Sequence, residues 1–124
     1  MAGGSHTMPW RTLAVYAYWR GAGLPERPGI EAGTDGWYWA VPLPDGTCNT
    51  LAFVDLARSP GERATSAPVR FETALAQSVM FARCRRATLV GRVRAVDATP
   101  WLATEPVTPS SIRVGDAALA LDPL

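Results

Sequence analysis

The chain contains no lysine: its 12 basic residues are all arginine, set against 11 acidic ones. No step that needs an amine nucleophile or an ammonium acid can be carried by it. A formal charge of +1 gives no net basic excess of the kind a nucleic acid or an anionic membrane surface calls for. Histidine is nearly missing too. His6 lies in Met1-Ala2-Gly3-Gly4-Ser5-His6-Thr7-Met8, and residues 1–11 read as a tag-like or disordered start. Cys48 and Cys84 stand alone, with no Cys or His at ligand spacing, so no metal site is expected. A disulfide between them is open on spacing alone, with a reduced pair as the default. No apolar run is long enough for a signal segment or a membrane span, which points to a soluble, cytoplasmic chain. Internal repeats and low-complexity tracts are absent as well.

What is present is apolar: 48% of the 124 residues are hydrophobic, enough for one compact domain with a core. Residues 12–19 alternate with period two, Leu13, Val15, Ala17 and Trp19 pointing one way and Ala14, Tyr16 and Tyr18 the other, the pattern of a strand. Residues 21–36, rich in Gly, Pro and charge, read as a long irregular loop. Strands at 37–43 and 47–56 flank Pro44-Asp45-Gly46, a hairpin signal, and 57–67 form a second loop. From 69 to 86 the period changes to that of a helix, with Phe71, Leu75, Ser78, Val79 and Ala82 on one face and Arg70, Thr73, Gln77 and Arg83 largely opposite. Arg83, Arg85 and Arg86 suit its C-terminal end. Period two returns over 89–97, with Arg92 and Arg94 on one side and Leu89, Val93 and Ala95 on the other. Residues 99–109 hold three prolines and read as a connector. A short strand at 111–114 runs into Gly115-Asp116, and 117–121 reads as the start of a helix. The sum is an α+β fold: an antiparallel sheet of about four strands covered by one main helix.

Two segments carry chemistry. In Gly36-Trp37-Tyr38-Trp39-Ala40-Val41-Pro42, Trp37 and Trp39 share a strand face and make one apolar wall; on spacing alone such a pair ordinarily packs under a helix as core. In Ser111-Ile112-Arg113-Val114-Gly115-Asp116-Ala117-Ala118, a strand, Gly-Asp and small residues opening a helix bring backbone close to a bulky polar ligand. The plainer reading of that turn is a helix cap.

Taken in order, the first segment resembles the Trp-x-Trp-x-Ile-Pro motif of flavin-dependent halogenases, with Val41 in place of Ile. The second resembles the Gly-Asp-Ala-Ala and Asp-Pro-Leu stretch with which those enzymes and the related class A FAD-dependent monooxygenases bind FAD. The resemblance covers residues 12–124. It implies the fold of their substrate-side domain over residues 12–109 and the start of an FAD motif over 110–124. Gly115, Asp116 and Ala117 would lie at the ribityl chain, and Asp122 and Pro123 would begin the turn past the flavin ring. Trp37 and Trp39, with Tyr16 and Tyr18 on the neighbouring strand, would form a substrate-side wall. It further implies FAD as cofactor, a small organic substrate and halide as partners, and O2-dependent halogenation or hydroxylation.

Two family elements are missing. No Gly-x-Gly-x-x-Gly is present to grip the ADP half of FAD, and the catalytic Lys of the halogenases has no counterpart. The chain is thus expected to be part of such an enzyme, inactive by itself, with no catalytic residue of its own. Self-association or a complementary flavoprotein fragment is expected to cover its exposed sheet. The other reading is a non-catalytic module that binds a small ligand or a protein.

Overall fold

The structure, a computed structural model, describes residues 9–56 and 65–121, and residues 5–7 by their backbone. Among the described residues ten strands appear in chain order. The main sheet holds five of them, all antiparallel, in the order β3-β4-β5-β2-β6: β2 is Thr12–Arg20, β3 Gly29–Ala32, β4 Gly36–Pro42, β5 Cys48–Asp55 and β6 Thr88–Asp97. The predicted hairpin forms between β4 and β5. Asp45 holds its turn, its Oδ1 accepting from Thr47 N at 2.9 Å and from Thr47 Oγ1 at 2.6 Å. The sheet has one strand more than the alternation shows, because β3 lies inside the stretch read as loop.

A helical layer covers one face. The helix α1, Ala67–Gln77, carries Pro68 in its first turn, where a missing N–H is harmless. Its buried Phe71, Ala74 and Leu75 meet Val15, Ala17 and Trp19 of β2 and Tyr38 of β4. Phe71 stacks between Trp19 (centroids 6.0 Å apart) and Phe81 (5.5 Å). The buried Trp19 indole donates from Nε1 to Thr50 Oγ1 at 2.9 Å, so its one polar atom is satisfied.

The helix is shorter than its periodicity predicts. It stops at Gln77, and a 3₁₀ segment, Phe81–Arg86, follows. Glu31 of β3 makes the break. Its carboxylate accepts from Ser78 Oγ (2.9 Å), Val79 N (3.0 Å) and Met80 N (2.9 Å), while Phe81 N donates to Ser78 Oγ (3.0 Å). Amides that would continue the helix thus point at a carboxylate instead. Val79 and Ala82, expected on the buried face, are exposed, and Arg70, expected outside, is buried.

Beyond β6 the chain forms two small sheets. Strand β7, Trp101–Ala103, pairs with β1, Ser5–Thr7, on one side and β10, Leu119–Ala120, on the other. Strands β8, Val107–Thr108, and β9, Ser111–Ile112, form a hairpin. The connector read at 99–109 therefore contains two strands, and the tag-like start contributes one. The helix read from Ala117 onward is not formed. A single 3₁₀ turn, Gly115–Ala117, gives way to β10, because Ala103 N donates to Ala118 O at 2.8 Å and draws the backbone into the sheet.

The candidate functional site is the open sheet face

Register decides which residues share the face opposite α1. Directly paired residues of antiparallel strands lie side by side on one surface. One row runs Tyr16, Leu51, Trp39, Ile30; the next runs Ala14, Phe53, Trp37, Ala32; a third runs Tyr18, Asn49, Val41. On the far side of β2, Arg94 sits beside Tyr16, Val96 beside Ala14 and Val90 beside Tyr18. Trp37 and Trp39 therefore do not pack under the helix. Tyr38, between them, takes that place, buried against Phe81 with its hydroxyl donating to Gln77 Oε1 at 3.1 Å. The expectation of ordinary core is corrected by the phase of the strand.

All four predicted wall residues come together on this face. The Trp pair and the Tyr pair are one strand further apart than adjacent strands would be, since β5 lies between, which separates them by roughly 10 Å. That strand supplies what the motif did not show. Phe53 stacks on Trp37 with centroids 3.9 Å apart and planes at 9°, and Leu51 bridges Trp39 to Tyr16. Tyr16 and Tyr18 meet edge to face at 6.2 Å. Both Tyr and both Trp are half-buried, so the face presents ring surface to whatever lies over it. Alternation within residues 47–56 was the signal for Phe53 and Leu51.

One polar atom lies buried beneath this surface. Asn49 Oδ1, between Tyr18 and Val41, is the one buried side-chain N or O without a hydrogen-bond partner among the described residues. An acceptor left so costs about 1–3 kcal/mol. The thiols lie on the other side of the sheet. Burial, with Cys48 nearby, pushes Cys84 up to about 12, and burial raises Cys48. Both cysteines are free and buried, so they stay protonated and inert as nucleophiles. Among the described residues no cluster of three or more His, Cys, Asp or Glu could hold a metal.

The predicted cofactor residues lie apart, after the β8–β9 hairpin. Gly115 has φ +57, and a Cβ there would meet nothing within 4 Å. Gly115, Asp116 and Ala117 are exposed, and their turn is closed by Ala118 N donating to Gly115 O at 2.9 Å. Asp122 and Pro123 fall outside the described residues.

The architecture matches solved structures over nearly all of its length. CmlS, a flavin-dependent halogenase, superposes with a TM-score of 0.81 at 24% identity, over 97% of this chain and 23% of its own. The flavin-dependent brominase Bmp2 gives 0.84 at 16% identity, over 98% and 32%. The fold is that of a segment of the flavin-dependent halogenases. The peptidyl tryptophan dihydroxylase QhpG matches with a TM-score of 0.58 at 30% identity, over 96% of this chain and 28% of its own. The chain thus spans about a quarter to a third of the length of these structures. No protein-family profile and no curated protein matches it. No described helix is long and apolar enough to cross a membrane.

Proposed function

We propose that the open face of the five-stranded sheet is one wall of a cleft in which a flavin-dependent enzyme oxidises a small organic substrate. The observation that carries the reading is the placement of Trp37, Trp39, Tyr16 and Tyr18 together on the face that α1 leaves bare, in a fold shared with flavin-dependent halogenases. Half-buried rings held by strand register offer a rigid, low-entropy surface against which a planar ring stacks and from which water is displaced. The hydroxyls of Tyr16 and Tyr18 offer both a donor and an acceptor to the polar groups of that ring.

The residues present fit one edge of FAD. Gly115 leaves its surroundings open to close approach, and Asp116 presents an exposed carboxylate to ribityl hydroxyls. Asp122 and Pro123 extend that edge in sequence. When bound, FAD supplies the redox chemistry with O2, and halide or the organic substrate receives the oxidising equivalent. This chain's part is to bind, orient and exclude water. With no lysine and no dinucleotide fingerprint, it holds neither an ammonium acid nor a grip for the ADP half. Turnover therefore requires a flavin-binding body over the open face, in the same polypeptide or another. CmlS is a halogenase and QhpG a dihydroxylase, so the shared fold is compatible with either outcome.

Titration of the purified chain with riboflavin, used as a planar aromatic probe of the substrate-side wall, tests this reading. Flavin and tryptophan fluorescence should both quench saturably. The quench should fall several-fold in Trp37→Ala and Trp39→Ala and survive in Trp10→Ala, an exposed control. FAD should not be retained through gel filtration. Quenching indifferent to Trp37 and Trp39 would remove the wall from the account.

A further inference from the structure

The layer that covers the sheet carries a second feature, on the side away from the aromatic wall. In the 3₁₀ segment Phe81–Arg86, three residues per turn set Arg83 and Arg86 one above the other, while Phe81 and Cys84 enter the core. Both arginines are exposed. With Ala82 and the Ala22 and Gly23 turn after β2 they line an open concavity of about 360 Å³. Small-molecule sites run from roughly 300 to 1,000 Å³.

Charge accumulates there despite the nearly neutral chain. Arg85 turns back to donate from Nη2 to Leu75 O at 3.3 Å, and Arg20 closes β2 just before the turn. Neither Arg83 nor Arg86 has a carboxylate within ion-pair distance among the described residues. Asp45, which feels the charge of Arg20, is engaged by Thr47 in the β4–β5 turn. Arginines on a convex surface are simply solvated. Here two guanidinium forks stand on one wall of a hollow whose other walls are alanine and glycine, small enough to leave room for an anion. Each planar fork can give parallel N–H bonds to two oxygens of one tetrahedral group.

We propose that the Arg83–Arg86 hollow binds the phosphate groups of a small ligand, either a free polyphosphate or the phosphate end of a nucleotide. The site lies in the helical layer and stands independently of the flavin reading. Calorimetric titration of the 124-residue chain with inorganic pyrophosphate at low salt should show one saturable site. Arg83→Gln combined with Arg86→Gln should weaken it at least tenfold, and Arg83→Lys should weaken it less. Arg113→Gln, in the distal region, should leave it unchanged. ADP binding tighter than pyrophosphate, with adenosine silent, would assign the site to a nucleotide; equal binding of ADP and pyrophosphate would assign it to free polyphosphate. Absence of saturable binding to either probe, an undiminished double variant, an equal loss in Arg113→Gln, or adenosine binding as well as ADP would each overturn the proposal. Because both arginines are exposed, an unchanged urea midpoint is expected for the double variant and confirms that any loss is local.

Discussion

The two faces of one sheet are built from the same strands and used in opposite ways. Toward α1 the strands present mainly small side chains, Ala17, Ala40 and Ala52, with Trp19 and Tyr38 the large ones. They are sealed by Phe71, Leu75 and Phe81. On the other face the same strands present Trp37, Trp39, Tyr16 and Tyr18, and no described helix covers them. Burial on the first face drives folding. The rings on the second are larger than folding this chain alone requires, which is the signature of a surface kept for something else.

The largest effect should come from the covered face. Phe71→Ala empties a fully buried stacked position and should cost about 4 kcal/mol, read as a fall in the urea midpoint with little change in slope. Trp39→Ala on the open face should cost about 1 kcal/mol, since a half-buried ring loses only part of its transfer energy. Equal losses would erase the contrast between the faces.

The clamp that shapes the covering layer should rank between them. Glu31→Gln removes charge from a group accepting three hydrogen bonds and should cost about 2 kcal/mol. Burial opposes ionisation of Glu31, but the donors Met80 N, Ser78 Oγ and Val79 N outweigh it and hold the carboxyl below its usual range. Its contribution is present above the ordinary carboxylate pKa and lost as pH falls below it. The wild-type chain should therefore lose stability through that acid window, and Glu31→Gln should lose less.

A smaller change is expected where the two ends of β2 and β6 are tied. Asp97 accepts from Thr99 and from Arg11, the latter at 2.6 Å, and these bonds lower it to about 2. The sign is the same: full support above pH about 4, lost between about 4 and about 2. Because Arg11 and Asp97 are 67% and 53% exposed, Arg11→Ala should cost under about 1 kcal/mol. Thermal unfolding at neutral pH measures it.

How much of this was legible in the sequence depends on whether the cause was local. Strands β2, β4 and β5 and the Asp45-Gly46 hairpin follow from alternation and turn chemistry, and the wall residues follow from phase once the covered face is known. Strand β3 was not legible, because Gly-Ile-Glu-Ala has no pattern of its own and becomes a strand by pairing with β4. The end of α1 was hidden for the same reason: the carboxylate that breaks it lies 47 residues before Ser78. Residues 117–121 carry helix-favouring alanines and leucines, but hydrogen bonding to β7 overrides them. The flavin motif remains a sequence argument for Gly115 and Asp116, which the fold leaves open and exposed, and for Asp122 and Pro123.

The central claim is that the bare aromatic face receives a planar ring. Amide chemical-shift mapping of the ¹⁵N-labelled chain during titration with riboflavin tests it most directly. The account predicts the largest shifts at Trp37, Trp39, Leu51 and Tyr16, including both indole N–H signals, with α1 silent. Shifts centred on α1, or none along β4 and β5, would contradict it.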